Sequence, residues 1–470
     1  SRSRDRAGDR APGPMADPRP TDPVARKRYD ERVNRARAAP KMSLDLSKLA
    51  VDSQIPEGEH QLTHREETML VTPRAKQKEA ITVRGAPKHR TIKLVHLAPA
   101  DLGRGPVKFA WRPRGEHFAT LSYKMGECVV QLWTRKGDLV ARHGLAESKP
   151  VWVDWDCKGE VLGMLTERDG IFIWDLGKGS AEKPMHLSPK HTSTATFCKW
   201  SLILPHLAIG TSDGKVIIYN RIDSVLQLHE RKGSHGAPVL CGDWLPSNSL
   251  GLASGTRVKV SQPIAETNSK WESYSKFNLG GIKSKVPKHI RQAGEPRHLA
   301  FTPTYPHFVA VALGTKYVLT FDTTRVHEDL GLTFPEDYGG ICGFQWMQNN
   351  LLLVGLANGY VVTVDFAALT KLQEHGQLPD KIAAMATTQV FNEYVAAIHC
   401  APTDYKIAAC GDAMVKIVEA KGVELEVTAE IHLERKLKVG EFLDNVKWDQ
   451  EGRAVACSAT DGYLYVYEVH

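Results

Sequence analysis

The 470-residue sequence holds no apolar run near the ~18–20 residues that a helix needs to cross a bilayer, which excludes a helical membrane span. Its opening stretch, Ser1-Arg2-Ser3-Arg4-Asp5-Arg6, is charged with no apolar core behind it, so no secretory signal is read there. Eight cysteines are scattered without close pairs, which excludes both a disulfide framework and a zinc pattern. Several sit in apolar strand-like runs such as Ala408-Ala409-Cys410, where cysteine acts as a small hydrophobe, and a reducing cytosolic compartment is the expectation.

Catalytic motifs are also missing. There is no phosphate-binding glycine loop, HExxH helix or dinucleotide fingerprint. Gly210-Thr211-Ser212-Asp213-Gly214 does match G-x-S-x-G, but that elbow works only between a strand and a helix. Here it separates two strand patterns, so the hydrolase reading falls. His186 and His191 with Cys198 have no zinc-ligand spacing. His191 and His235 read instead as structural histidines that reach a hairpin-turn aspartate: Asp213 serves His191, while Gly255-Thr256-Arg257 leaves His235 without an equivalent. The expectation is no enzyme, no cofactor and no metal.

What the chain does have is a repeat. Trp111, Trp155, Trp200, Trp244, Phe301, Trp346, Cys400 and Trp448 recur at intervals that are 44 or 45 residues in four of the seven steps, the period of a four-stranded propeller blade. About seven residues after each anchor an apolar strand begins, at Phe118, Leu162, Leu207, Phe308, Leu353, Ile407 and Val455; the fourth repeat has Gly251 between two leucines. Turn signals follow, such as Asp169-Gly170, Asp213-Gly214, Asn358-Gly359 and Asp461-Gly462, and then an alternating strand. Val161-Leu162-Gly163-Met164-Leu165 is apolar almost throughout, as a strand covered on both faces must be. Trp174-Asp175 is the full WD dipeptide, with degenerate forms at Tyr219-Asn220, Phe321-Asp322 and Val364-Asp365. The pattern predicts an all-β WD-repeat propeller over 90–470. Eight sets can be counted, and both an eight-bladed and a seven-bladed ring remain open. Thr91 to Leu97 precedes the first set and can pair as the outer strand of the last blade, closing the ring without an exposed edge.

The net charge of +7 is uneven. Residues 1–90 carry 20 Lys and Arg against 13 Asp and Glu, and the remainder is balanced. Residues 1–89 are poor in aromatics and read as a disordered basic extension, with one short helical pattern from Pro23 to Ala38. Between the fourth and fifth repeats the spacing stretches to 57 residues, and Lys276, Lys283, Lys285, Lys288, Arg291 and Arg297 face only Glu295 in charge. This insertion is the candidate partner-binding site, suited to an acidic protein or an anionic membrane surface. No aromatics interleave with its charges, which argues against nucleic acid.

From Gly105-Pro106-Val107-Lys108-Phe109-Ala110-Trp111 onward the repeats resemble the amino-terminal propeller of the WD repeat-containing protein 19 family, a subunit family of intraflagellar transport complex A. Val153-Asp154-Trp155-Asp156, Val239-Leu240-Cys241-Gly242-Asp243-Trp244, Phe334-Pro335-Glu336-Asp337-Tyr338-Gly339-Gly340-Ile341-Cys342 and Ala409-Cys410-Gly411-Asp412 carry the resemblance. So do Trp200 with Leu207-Ala208-Ile209-Gly210-Thr211 and Ile217-Ile218-Tyr219-Asn220. It implies a non-enzymatic scaffold in retrograde ciliary transport and ciliary entry of membrane cargo. The implied partners are other complex A subunits and a membrane-protein cargo or its adaptor, and the implied location is the cilium or flagellum, basal body and cytoplasm. Family members continue into a second propeller and a helical array, so the chain is expected to be an amino-terminal fragment or a shortened relative. Another ciliary or coat-type WD scaffold, and a ubiquitin-ligase substrate receptor, stay as alternatives.

Overall fold

The computed structural model describes residues 61–63, 69–75, 77, 79–187, 194–222, 225–232, 235–255, 257–264, 270–279, 294–304, 308–323, 329–366, 368 and 384–470. Eight sheets follow one another along the chain, one for each repeat set, so the ring has eight blades rather than seven. Within a blade the strands run outward in sequence order, as in the second: Pro150–Trp155, Val161–Thr166, Gly170–Asp175 and Met185–His186. The middle strands are buried along their whole length because a neighbouring blade covers each face; Val161–Thr166, His206–Thr211, Phe308–Leu313 and Leu351–Leu356 expose nothing.

The last blade is completed by the start of the ring. Thr91–Leu97 pairs antiparallel with Leu464–Val469, from Thr91 opposite Val469 to Leu97 opposite Leu464. The innermost strand of blade 8, Leu443–Trp448, packs against that of blade 1, Lys108–Trp111, so the circle is closed. The sequence expectation for this strand is met.

All eight anchors are buried, from Trp244 at 1% to Trp111 and Trp346 at 6% exposure. Five of them also bind the previous blade through the same atom pair. Trp155 Nε1 donates to Ala110 O at 3.2 Å, Trp200 to Asp154 O at 3.2 Å and Trp244 to Lys199 O at 3.1 Å. Trp346 donates to Ala300 O at 3.1 Å, and Trp111 closes the circle on Lys447 O at 3.2 Å. Each acceptor is the carbonyl of the residue just before the preceding anchor. The indole thus fills the seam between blades while its one polar atom stays satisfied.

Room for the anchor ring comes from a small residue on the second strand of the previous blade. Opposite the position before the anchor stand Ala119, Gly163, Ala208, Gly251, Ala310, Ala408 and Ala456. Leu353 is the exception, opposite Gln345. The next anchor after it is Cys400, and both lie in one apolar cluster, so the leucine supplies volume that cysteine lacks. Seven residues after Phe301, Phe308 opens its strand as expected, but the residue that faces the anchor is not always the seventh. Trp244 faces Leu250, Trp346 faces Leu352 and Phe301 faces Val309, because the intervening turns are one residue shorter or longer.

The boundary at residue 89 needs a further correction. Met69–Thr72 pairs in parallel with Asp329–Thr333, the outer strand of blade 5, and antiparallel with Gln61–Thr63. From there the chain runs along the rim to its place in blade 8. Ala75 N donates to Tyr338 Oη at 2.6 Å, Ile81 N to Gln389 O of blade 6 at 2.8 Å, and Lys88 N to Thr428 O of blade 7 at 2.9 Å. Ile81 and Val83 pack on the apolar cluster between blades 6 and 7. The described residues between 69 and 90 are therefore a strap across four blades. Residues 1–60, with the helical pattern from Pro23 to Ala38, lie outside the described residues.

Candidate functional site

The basic insertion begins on the outer strand of blade 4, Trp271–Asn278, and ends on the inner strand of blade 5, Pro296–Phe301. Lys276 and Arg297 stand exposed at these two ends. Alternation explains Lys276: Trp271, Ser275 and Phe277 turn inward on the strand while Glu272, Tyr274, Lys276 and Asn278 face solvent. Lys283, Lys285, Lys288 and Arg291 lie outside the described residues, so the structure fixes only the base of this candidate surface.

The enzyme-like motif resolves into a hairpin. Ser212 lies in the turn between His206–Thr211 and Val216–Ile222, where its amide donates to Thr194 O at 2.8 Å. Asp213 accepts from Thr211 Oγ1 at 2.5 Å and pairs with Lys215, and His191 lies outside the described residues. His235 Nδ1 and Ser254 Oγ are hydrogen-bonded at 2.9 Å, so Ser254 stands in for the aspartate that the fourth turn lacks. Burial, reinforced by Lys259 and Arg257, pushes its pKa down to about 4, so it is neutral at physiological pH. His186 stacks on Phe172 with ring centres 4.5 Å apart, and no cluster of metal-binding side chains occurs among the described residues.

A second constellation was visible in the sequence only as the residue before each anchor. Ala110, Asp154, Lys199, Asp243, Ala300, Gln345, His399 and Lys447 occupy this position in blades 1 to 8. They stand on the innermost strands, and the polar ones other than Asp154, which accepts from its own neighbour Trp155 N, reach the next blade along the channel wall. Asp243 Oδ2 accepts from Phe301 N at 3.0 Å, Gln345 Oε1 from Cys400 N at 2.8 Å, and His399 Nδ1 from Trp448 N at 3.2 Å. Lys199 pairs with Asp243 at 2.6 Å, and Lys447 Nζ donates to Phe109 O at 3.1 Å. Alanines fall at blades 1 and 5, opposite each other, and place no polar side chain in the wall at either end of that diameter. Burial, opposed by the Asp243 carboxylate that outweighs it, leaves the Lys199 pKa raised; Lys447, without an ion pair among the described residues, is shifted down by burial.

Comparison with known proteins follows the same boundaries. The sequence profile of the family described as WDR19 first beta-propeller matches residues 107–462. WD repeat-containing protein 19 of Homo sapiens is 23% identical over 370 residues, covering 77% of this chain and 25% of that protein. WD repeat-containing protein dyf-2 of Caenorhabditis elegans is 20% identical over 378 residues, covering 78% and 24%. The chain thus spans about a quarter of the length of these curated relatives. Among solved structures, Sqt1 from Chaetomium thermophilum superposes with a TM-score of 0.62 at 13% identity, covering 81% of this chain and 99% of Sqt1. The carboxy-terminal WD40 domain of Sif2 gives 0.58 at 14%, covering 82% and 100%. At these identities the structural likeness concerns the fold alone.

Proposed function

The chain belongs to the WDR19 first beta-propeller family, and from that premise we propose that it is a non-enzymatic scaffold of an intraflagellar transport complex A-type assembly. Its role in this reading is retrograde ciliary transport and ciliary entry of membrane cargo. Its partners are other complex A subunits and a membrane-protein cargo or adaptor, at the cilium, the basal body and in the cytoplasm. The observation that carries the reading is the match over residues 107–462, which takes in almost the whole ring rather than isolated repeats. A rigid closed ring suits the role, because its rims hold several contact surfaces in fixed relation without further ordering entropy.

The basic insertion is the contact surface in this proposal. It is tethered at both ends to rigid strands, so it loses less entropy on binding than a free tail would. Charge reversal of Lys283, Lys285 and Lys288 to Glu tests it, in a salt-titrated binding assay against complex A subunits and anionic vesicles. The expected result is weaker binding with a shallower salt dependence and unchanged melting. An unchanged salt slope would move the contact elsewhere on the ring.

A further inference from the structure

Gln345, His399 and Lys447 are equivalent residues of three consecutive blades, and their hydrogen bonds leave each with donors to spare. Because Gln345 Oε1 takes the Cys400 amide, the other end of its side-chain amide presents two N–H groups with no partner among the described residues. His399 accepts at Nδ1, so its imidazole carries the proton on Nε2, and that N–H has no partner either. Burial and the nearby Lys447 ammonium push the His399 pKa down to about 3, which keeps the ring neutral and the tautomer fixed. Lys447 uses one of its three N–H groups on Phe109 O, and its ammonium lies over the Phe109 ring at 5.7 Å. The Asp154 carboxylate, beyond Ala110 along the wall, acts on Lys447 through space but makes no ion pair with it among the described residues.

Gln345, His399 and Lys447 are partly rather than fully buried although they stand on the innermost strands, which line the axial channel. The opposite wall differs. Lys199 and Asp243 are paired with each other, and Asp243 is saturated by the amides of Trp244 and Phe301. The Lys199–Asp243 stretch of the wall is therefore closed upon itself, while Gln345, His399 and Lys447 form a row of donors with one positive charge.

We propose that this row binds a carboxylate of a partner peptide threaded into the channel, either an Asp or Glu side chain or a chain terminus. A carboxylate offers two oxygens and about four lone-pair sites, which matches a donor set spread over neighbouring blades. The site is separate from the basic insertion and stands whether or not the ciliary reading holds.

The test uses the full chain and four unlabelled, N-acetylated hexapeptides, followed by isothermal titration calorimetry so that no dye adds a carboxylate: hexaglutamate and hexaglutamine, each with a free or an amidated carboxyl terminus. Gln345→Glu keeps the oxygen that accepts from Cys400 but replaces the donors with a second oxygen. Lys447→Gln removes the charge, so each variant stands in for the other should one fold poorly. Expected is binding of a carboxylate-bearing peptide that weakens at least tenfold in either folded variant, while amidated hexaglutamine does not bind. Binding of amidated hexaglutamate assigns the site to side chains, and binding of free-acid hexaglutamine assigns it to a terminus. The proposal is overturned if no carboxylate-bearing peptide binds more tightly than amidated hexaglutamine, or if a folded variant binds within twofold of the parent.

Discussion

The Phe301 ring lies on the backbone of Gly251: a methyl group at that glycine would come within 2.4 Å of Phe301 Cζ and 2.5 Å of Cε2. Gly251 is the small residue of blade 4 and Phe301 the anchor of blade 5, so the contact is one instance of the seam that recurs around the ring. Gly251→Ala should cost about 1–3 kcal/mol by overpacking. Combined with Phe301→Leu it should be less harmful than the two single changes added together, by more than ~0.5 kcal/mol. Additive losses in a denaturant-unfolding cycle would mean that the two sites do not share the seam.

The reverse compensation applies at the irregular anchor. Cys400→Trp should destabilise the ring by about 1–3 kcal/mol because Leu353 already fills its space. Leu353→Ala in the same chain should recover part of that loss, although alone it costs about 2–5 kcal/mol. Equal losses for Cys400→Trp with and without Leu353→Ala would refute the exchange of volume.

At a regular anchor, Trp200→Ala should cost about 3–5 kcal/mol. Trp200→Phe keeps most of the volume and loses the bond to Asp154 O, and the smaller cost of about 1 kcal/mol separates the polar share from the packing share. Unfolding curves of the two variants check this.

The strap makes stability depend on residues that composition assigns to a free extension. A chain starting at residue 61 should melt with the parent. One starting at residue 86 loses the bonds of Ala75 to Tyr338 and of Ile81 to Gln389, and also the Ile81 carbonyl that Lys416 Nζ, 3% exposed as a residue, binds at 2.7 Å. With the apolar contacts of Ile81 and Val83 this amounts to about 3–5 kcal/mol. A chain starting at residue 100 also lacks the closing strand and should aggregate through the bared edge of blade 8. Identical melting of the chains starting at 61 and 86 would show that the strap is idle.

Acid should weaken the ring through its half-buried, neutral histidines. The pKa values of His399 and His235 are held at about 3 and about 4 in the fold, below the ordinary value of about 6.5, so the unfolded chain binds protons that the fold excludes. Their contribution is complete above pH 6.5 and is lost as pH falls from there towards 4. His399→Gln keeps an acceptor for the Trp448 amide and should flatten part of that dependence in thermal melts between pH 7 and 4.5. An unchanged slope would show that His399 does not titrate on unfolding.

The repeat was legible because an indole seam forces the same residue types to the same place: Trp155, the strand from Val161, and the Asp169-Gly170 turn announce a blade on their own. Ring closure was legible for a similar reason, since Thr91–Leu97 has the look of a strand with no partner of its own. The strap was not. Much of its hold is the backbone pairing of Met69–Thr72 and the backbone N–H groups of Ala75, Ile81 and Lys88, which leave no mark on side-chain pattern, and Ile81 and Val83 are too short an apolar pair to announce it. The channel wall lay in between: Gln345, His399 and Lys447 can be aligned from the anchors, but only the bonds to Cys400, Trp448 and Phe109 reveal which of their atoms stay free.

Co-purification bears most directly on the proposed role. The chain, tagged and expressed in ciliated cells at the level of the resident protein, should bring down subunits of intraflagellar transport complex A, detected by mass spectrometry above a Trp200→Ala control whose ring is destabilised. Recovery of ubiquitin-ligase subunits in their place, or of no complex A subunit above the control while the parent chain is folded, would contradict the account.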